Sequence, residues 1–272
     1  MKFIGVIPAR YASSRFPAKP LVDLGGKTMI QRVYEQAKKA ESLSRVIVAT
    51  DDERIYQHVE SFGGEVMMTS ENHQSGTDRC AEVLRYVNTE QVLNDLDSNK
   101  NNLESYGFKP KRTRTTFDAV VNIQGDEPFI NPAQINQVAE ILRGGDFSIA
   151  TLAKPIDNQA VIRDPNVVKV VFTKEGKALY FSRSPIPYLR NIPMTEWHLT
   201  GFFYKHIGLY AYRNAVLQTI AQLPQSPLEQ TESLEQLRWL EADFKIGVGI
   251  TDLETIGIDT PEDIEKVRHL FN

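Results

Sequence analysis

The chain has 272 residues and a formal net charge of −4, from 31 lysines and arginines against 35 aspartates and glutamates. Its length suffices for one large α/β domain, while the acidic balance argues against a nucleic-acid or membrane-surface partner, because basic residues would dominate such a protein. The single cysteine, Cys80, excludes an internal disulfide framework, and without a signal peptide or an apolar run of ~20 residues the chain is expected in the cytoplasm.

Short apolar runs alternate with amphipathic stretches along the first half of the chain, which is typical of βαβ units and a parallel sheet. Between the first two runs, Met29, Ile30 and Val33 recur on one helical face. The pattern predicts a doubly wound α/β fold with a mostly parallel sheet. The predicted strands are 3–9, 45–50, 65–69 and 117–124.

Cap and turn residues predict where the helices begin and end. Asp51 or Asp52 begins a helix that Gly63 ends, and Pro132 takes the first position of another helix. Near the C-terminus, Thr260 has the character of an N-cap, followed by proline at the first helical position and aspartate at the third.

Segment 166–212 interrupts the alternation of strands and helices. Its sequence contains two extended runs around Glu175 and Gly176, which predict a β-hairpin. Such a hairpin cannot continue a parallel sheet. We interpret the chain as a single domain, 1–272, in which 166–212 is a subdomain or a dimer arm, a plain exposed hairpin being the alternative. One helix is predicted over 226–243.

Polar and basic residues fill segment 88–116. This composition predicts a mobile insertion, and the basic stretch 109–114 is interpreted as a solvated loop in preference to a nucleic-acid patch.

Three cations lie close together behind the first predicted strand. Arg10, Arg15 and Lys19 all precede the first acidic residue, Asp23, in the stretch IPARYASSRFPAKPL. Ligands of α/β proteins bind at the carboxyl ends of the strands, so this loop is expected to bind a polyphosphate. It matches neither the Walker pattern nor G-x-G-x-x-G, which argues against a P-loop ATPase and a nicotinamide enzyme. Ordinary surface charges are the alternative.

Two aspartates follow apolar runs at the same predicted edge of the sheet. Asp126 comes after a strand and a glycine in NIQGDEPFI, and Asp259 precedes a helix in GIDTPEDI. Their carboxylates are suitable Mg²⁺ ligands beside phosphate oxygens. Capping a turn or a helix explains each aspartate as well, and Glu127 fits either a ligand or an outward charge.

Three further groups of polar residues have both a binding and a structural interpretation. The stretch HQSGTDR, 73–79, offers donors to a base or ribose, or else a capped helix start. His206 and Tyr210 in HIGLY are more often packed side chains than ligands. Glu235 and Gln236 lie off the apolar helical stripe, where they face solvent or a polar ligand.

Seven stretches together resemble, in order and nearly end to end, the 3-deoxy-manno-octulosonate (Kdo) cytidylyltransferases, or CMP-Kdo synthetases. The resemblance implies a fold like that of nucleotide-diphospho-sugar transferases, a homodimer, and a Mg²⁺-dependent reaction of CTP with Kdo that yields CMP-Kdo and pyrophosphate for lipopolysaccharide biosynthesis. The stretches are IPARYASSRFPAKPL, HQSGTDR, NIQGDEP, ALYFSRSPIP, HIGLYAYR, SPLEQTESLEQLR and GIDTPEDIEKVR.

The same resemblance implies roles for individual residues. The expected catalytic residues are Arg10, Lys19, Asp126 and Asp259, of which the two aspartates hold the magnesium ion. The expected nucleotide contacts are Arg10, Arg15, Lys19, Ser75, Gly76, Thr77, Arg79 and Gln124. The expected sugar contacts are Arg183, His206, Tyr210, Glu235 and Gln236, with Arg183 suited to the Kdo carboxylate.

The chain departs from the family pattern at Ala18, where glycine is expected, so the loop must differ if its backbone needs a positive φ. The insertion 88–116 is the second departure. Three alternatives stay open: a CMP-sialic acid synthetase, a glycosyltransferase with 51–53 as its metal motif, and a nucleotide-sensing module without turnover.

Overall fold

The computed structural model describes residues 1–12, 16–88 and 116–271. Within them the chain divides into two compact units, Met1–Asn136 with Thr255–Asn272, and Gln137–Glu254. The predicted insertion lies outside the described residues except for its ends, where the Asn88 side chain bonds both backbone groups of Phe117. No helix in the described part of the chain has the length and apolar character needed to cross a membrane.

Nine strands and nine α-helices follow one another along the described residues. The strands are β1 Phe3–Ala9, β2 Leu43–Thr50, β3 Val66–Met68, β4 Ala119–Asn122, β5 Ile149–Pro155, β6 Lys169–Phe172, β7 Ala178–Ser182, β8 Tyr204–Arg213 and β9 Ile246–Ile250. The α-helices are α1 Met29–Ala37, α2 Glu53–Ser61, α3 Gly76–Asn88, α4 Pro132–Arg143, α5 Gln159–Arg163, α6 Asn214–Ile220, α7 Pro227–Glu232, α8 Gln236–Glu241 and α9 Pro261–Val267. Short 3₁₀ helices cover Lys19–Leu21, Met194–Leu199 and Arg268–Leu270.

The first unit is built on a parallel sheet with strand order β3-β2-β1-β4. Strand β1 is almost entirely buried, as a strand covered on both faces must be. The four predicted strands are confirmed, with small differences at their ends. Helix α1 buries Met29, Ile30 and Val33 as the periodicity predicts.

The predicted caps of the first unit are also confirmed. Asp52, rather than Asp51, caps α2 by accepting a hydrogen bond from the backbone N–H of Arg54. Gly63 follows this helix with φ of 76°. Thr260 and Asp263 form a capping box at the start of α9.

The second unit combines parallel and antiparallel pairing. Strand β5 lies parallel to β9 and antiparallel to β8, and β6 and β7 form the predicted antiparallel hairpin. Gly176 takes the turn with φ of 79°. This unit contains the whole of segment 166–212.

The single helix predicted over 226–243 is wrong, because the chain forms two short helices, α7 and α8. Ser233 separates them in the left-handed conformation, with φ of 52°. The physical reason lies in the preceding residue. The carboxylate of Glu232 accepts hydrogen bonds from the Ser182 hydroxyl and from the backbone N–H of Arg183. The backbone carbonyl of Glu232 accepts from the Arg183 side chain. These tertiary contacts end the helix at Glu232.

Candidate active site

Asp126 lies in a tight turn against the end of β1. A Cβ at Gly125 would come within 2.7 Å of the Pro8 carbonyl oxygen, closer than real contacts allow. Only glycine permits the chain to pass here. This close passage places the following residue, Asp126, at the carboxyl end of the parallel sheet, as the sequence predicts.

Asp259 reaches the same place from the far end of the sequence. The backbone N–H of Ile258 donates to the carbonyl oxygen of Asp126 at 2.9 Å. One oxygen of Asp263 accepts from the backbone N–H of Asp259 and of Thr260, at 3.1 and 3.0 Å. The backbone before α9 is therefore held on both sides of Asp259. The capping motif predicts the bond from Thr260 to Asp263, but not the second bond from Asp259 to the same oxygen.

The ammonium group of Lys19 joins these two carboxylates. Its Nζ lies 2.6 Å from Oδ2 of Asp126 and 3.2 Å from Oδ1 of Asp259. The two oxygens thus face one position large enough for a single cation. The predicted phosphate ligand and the predicted metal ligands are brought together in the first unit.

Ala18, immediately before Lys19, has the left-handed backbone conformation, with φ of 59°. Its N–H donates to the carbonyl of Tyr11, and its carbonyl accepts from Leu21 at 2.8 Å. The loop therefore keeps the conformation that glycine favours and does not differ because of the alanine. A Cβ in this conformation costs about 1–2 kcal/mol.

Arg10 continues the line of cations next to the end of β1. Its guanidinium donates to the carbonyl of His73. Burial, and then the repulsion of the nearby Arg79 cation, lower the pKa of Arg10. The Arg10 guanidinium therefore adds positive charge beside the end of β1, where it favours an anion. The third predicted cation, Arg15, lies outside the described residues.

Arg79, a predicted base or ribose contact, is fully buried. It donates to the hydroxyl of Thr69 and to the carboxylate of Asp51. Asp52 is occupied as the cap of α2 and as the ion-pair partner of Arg54, at 2.6 Å. The aspartates of segment 51–53 are thus used in structural contacts, which argues against that segment as a metal motif.

The other predicted nucleotide residues lie at the start of α3 and after β4. Ser75 caps α3, accepting from the backbone N–H of Asp78 at 3.2 Å, and Thr77 is buried in the first turn. A Cβ on Gly76 would lie 3.2 Å from Cγ of Pro8, so glycine lets the helix start close to β1. Gln124 is half-buried. Capping is confirmed for Ser75, and contact with a nucleotide stays a prediction for all four.

In the second unit, Arg183 is held by backbone carbonyl groups. Its Nε, Nη1 and Nη2 donate to the carbonyls of Glu232, Pro165 and Ser233, at 2.7, 3.0 and 3.4 Å. A guanidinium has five N–H groups, and these contacts use three of them. Nη1 and Nη2 therefore each have one further N–H group that can donate to a carboxylate. The three carbonyl contacts orient the planar guanidinium group of Arg183 in the absence of a ligand.

Lys169 supports Arg183 and was missed by the sequence motifs. Its fully buried ammonium donates to the carbonyls of Asp164, Val167 and Arg183. Burial lowers the pKa of Lys169. A buried lysine in a strand has no local sequence signal, because its three partners come from the preceding loop and from the neighbouring strand's end.

His206 and Tyr210 lie on β8 in an aromatic cluster. The His206 ring lies 5.1 Å from Phe181 and 5.2 Å from Tyr210, between ring centres, and Tyr210 lies 5.2 Å from Trp239. Burial lowers the pKa of His206 to about 3, and burial raises the pKa of Tyr210. Both side chains are therefore neutral at physiological pH.

Glu235 and Gln236 lie at the start of α8. The carboxylate of Glu235 accepts from Arg238. Gln236 is buried, which excludes the solvent-facing interpretation for this residue.

The carboxylate pair of the first unit suits a hard divalent cation. No group of three or more histidine, cysteine, aspartate or glutamate side chains in the described ranges could hold a metal ion by itself. Mg²⁺, however, is commonly bound by one or two carboxylates together with substrate phosphates. Asp126 and Asp259 already share one cation, so this donor set fits a magnesium ion bound jointly with phosphate.

Comparison with known proteins shows similarity over nearly the whole chain. The model of a family described as cytidylyltransferase matches residues 4–246. The 3-deoxy-manno-octulosonate cytidylyltransferase of Parabacteroides distasonis is 54% identical over 98% of this chain and 96% of its own length, and that of Bacteroides thetaiotaomicron is 53% identical over 100% and 98%. A solved structure of CMP:2-keto-3-deoxy-manno-octonic acid synthetase complexed with CTP has a TM-score of 0.82 and 42% identity, covering 99% of this chain and 98% of that chain. These similarities confirm the predicted α/β fold class.

Replacing Ala18 with glycine should stabilise the protein, because glycine adopts the left-handed conformation without strain. We expect the free energy of unfolding to rise by about 1 kcal/mol, measured by urea denaturation. Ala133→Gly is the matched control, since Ala133 is exposed in the first turn of α4 and glycine is not expected to stabilise the protein there. A loss of stability in both variants would contradict the strain at Ala18.

The depressed pKa of His206 should make the protein less stable as the pH falls. The unfolded chain takes up a proton on this histidine near pH 6.5, whereas the folded protein does so only near pH 3. Between these values the unfolded state binds more protons, so the free energy of unfolding decreases by up to about 1.4 kcal/mol per pH unit.

Urea denaturation at about pH 6 and about pH 5 measures this slope. His206→Asn should have a smaller slope than the wild type, and His269→Asn, in which an exposed histidine is changed, should keep the wild-type slope. Equal slopes in all three proteins would show that His206 is protonated in the folded state as readily as in the unfolded state.

Proposed function

Since the chain belongs to the 3-deoxy-manno-octulosonate cytidylyltransferase family, we propose that it transfers the cytidylyl group of CTP to the anomeric hydroxyl of Kdo. The hydroxyl oxygen forms a bond to the α-phosphorus. The bond between the α-phosphorus and the oxygen that bridges it to the β-phosphate breaks. The products are CMP-Kdo and pyrophosphate, and the hydroxyl proton is released. The pathway that consumes CMP-Kdo is proposed to be lipopolysaccharide biosynthesis, and the reaction is proposed to occur in the cytoplasm.

The observation that carries this proposal is the contact of Lys19 with both Asp126 and Asp259. A cation and two carboxylates at the carboxyl end of a parallel sheet are the groups that phosphoryl-group chemistry needs. Arg10 adds a second cation next to the same strand end. The family relationship and this local charge arrangement support the same reaction.

We assign binding of the triphosphate to Arg10 and Lys19, together with Arg15. Their charges would offset the negative charge that builds on the leaving pyrophosphate, which is catalysis by positioning and electrostatics. Asp126 and Asp259 would hold Mg²⁺. An ion held by these carboxylates would polarise the α-phosphate and lower the pKa of the attacking hydroxyl. No side chain needs to act as general base.

Residues of the second unit are proposed to bind the sugar. Arg183 has the right shape for the Kdo carboxylate, because its fork is already oriented by three carbonyls. His206 and Tyr210 are proposed to contact sugar hydroxyl groups as neutral side chains, and Glu235 and Gln236 complete the set. Ser75, Gly76, Thr77 and Gln124 are proposed as base or ribose contacts. Arg79 is proposed to support these residues without contacting the nucleotide directly, since its own side chain is buried and bonded to Asp51.

The alternatives make different predictions for the products. A CMP-sialic acid synthetase would use N-acetylneuraminate, a glycosyltransferase would consume a sugar nucleotide without releasing pyrophosphate, and a nucleotide sensor would release no product. The structural use of Asp51 and Asp52 weighs against the glycosyltransferase.

Pyrophosphate release from CTP tests the proposed function. We expect release only when CTP, Kdo and Mg²⁺ are all present, with no comparable release when N-acetylneuraminate replaces Kdo or another nucleoside triphosphate replaces CTP. Release with N-acetylneuraminate alone would transfer the assignment to the sialic acid reaction, and the absence of release with either sugar would contradict both.

The variant Asp126→Asn, measured in the same assay, tests the role of the Asp126 carboxylate. It should lower kcat at least about a hundredfold while its melting temperature stays close to that of the wild type. Asp146→Asn, which changes an exposed aspartate, should retain wild-type turnover. Normal turnover of a folded Asp126→Asn protein would refute the role of this carboxylate.

The family resemblance also supports a homodimer, and the second unit has a surface suited to one. Tyr188 and Leu199 are each 74% exposed and Phe202 is 59% exposed, all within a stretch of 15 residues. Large apolar side chains that are exposed in one short segment are a feature of protein interfaces. We propose that a second copy of the chain covers them.

Introducing charge at this surface should separate the proposed dimer. Wild-type protein is expected to sediment as a dimer in analytical ultracentrifugation, whereas the double variant Leu199→Asp, Phe202→Asp should sediment as a monomer because a buried unpaired charge is costly. Leu270→Asp changes an exposed leucine of the first unit and should leave the dimer intact. A double variant that stays dimeric would exclude this surface.

A further inference from the structure

The hydroxyl of Thr151 lies at an irregularity in the pairing of β5 with β8. Thr151 is opposite Tyr210, but the next residue of β5 is opposite Ile207, so β8 bulges between these two pairs. Thr151 is fully buried. The bulge turns two carbonyl groups of β8 towards the same hydroxyl, which a regular ladder would not do.

The Tyr210 hydroxyl is a polar neighbour of Thr151, and three further polar atoms lie within 3.0 Å of Thr151 Oγ1. They are the carbonyl oxygens of Ile207, at 3.0 Å, and Leu209, at 2.9 Å, and Nε2 of His206, at 3.0 Å. A hydroxyl has one proton and two lone pairs, whereas a carbonyl oxygen can only accept. The hydroxyl proton must therefore serve either a carbonyl oxygen or the histidine.

The electrostatics of the bulge decide between these two arrangements. If Thr151 donated to His206, its oxygen would face both carbonyl oxygens with no proton between them, and a buried acceptor without a donor is costly. If Thr151 donates to the carbonyl oxygens, its lone pair accepts from an N–H on Nε2 of His206. The second arrangement is favoured, because it points the single hydroxyl proton towards the carbonyl oxygens and gives the hydroxyl oxygen a donor.

His206 carries a single ring proton at physiological pH, since burial lowers its pKa to about 3. A neutral imidazole that is protonated on Nε2 has a lone pair on Nδ1. Nδ1 then accepts hydrogen bonds and cannot donate one. Such an atom suits a sugar hydroxyl and repels a carboxylate, which leaves the carboxylate to a cation such as Arg183.

We propose that Thr151 is a positioning residue that holds His206 in the Nε2–H tautomer, so that Nδ1 accepts a hydrogen bond from a hydroxyl of the sugar substrate. Only the last step rests on the proposed function. The tautomer itself follows from contacts within the second unit.

Nitrogen-15 NMR of the full-length protein, without nucleotide or sugar, tests the tautomer directly. The ring signals of His206 are identified by their loss in His206→Asn. We expect Nε2 to carry the proton and Nδ1 to carry none. A wild-type protein with the proton on Nδ1 would overturn the proposal, whatever the enzyme's activity.

Two variants of Thr151 separate positioning from packing. Thr151→Val removes the hydroxyl and should abolish the preference for Nε2–H; the KM for the sugar should rise about tenfold while the KM for CTP stays within about twofold. Thr151→Ser keeps the hydroxyl and should restore both the tautomer and the KM. Melting curves identify any variant that fails to fold.

Each other outcome overturns part of the proposal. An unchanged tautomer in Thr151→Val, or a Thr151→Ser protein that behaves like the valine variant, would show that the hydroxyl does not set the ring proton. A changed tautomer with an unchanged sugar KM would remove Nδ1 from the sugar site. If the protein releases no pyrophosphate with any sugar, the proposed function fails, while the NMR signals still decide the tautomer.

Discussion

The first unit depends on two carboxylates that must lie close together without repelling each other. Asp126 and Asp259 come from distant parts of the sequence, and Lys19 supplies the positive charge between them. Because Asp259 is exposed, this ion pair adds little stability by itself. The backbone therefore maintains the arrangement, through the bond from Ile258 to Asp126 and the bonds that Asp263 accepts. The proposed ligand, a metal–triphosphate complex, carries both signs of charge, so it would be complementary to the ammonium and to the carboxylates.

The sequence predicts much of this unit because the signals are local. A buried parallel strand is a continuous apolar run, and a helix start is a cap residue beside proline, so β1 and the start of α9 could be predicted almost to the residue. The location of Asp126 and Asp259 at the edge of the sheet could be predicted for the same reason, since each residue follows an apolar run. Their joint contact with Lys19 could only be expected from the fold.

The features that the sequence did not predict come from contacts between distant residues. Ser233 ends α7 because the neighbouring Glu232 is engaged by strand β7 and the residue after it, although the local pattern continues as a helix. The sequence presents Arg79 as an available donor, yet in the fold its buried side chain is paired with the half-buried carboxylate of Asp51. Lys169 has an ordinary strand position, and only the fold surrounds it with carbonyl groups. In each case tertiary contacts override a local preference.

The second unit uses burial to control polar groups. His206 and Tyr210 are neutral because an aromatic cluster surrounds them, and a neutral group recognises its ligand through the direction of its hydrogen bonds, without the attraction of a full charge. A buried site that is built to bond a hydroxyl discriminates strongly against ligands that lack it, because its own polar groups are then left without partners. In the proposed sugar site, the β8 bulge at Thr151 therefore bears on specificity as much as on the fold. It determines which ring nitrogen of His206 carries the proton, and hence whether that histidine selects a hydroxyl or a carbonyl group.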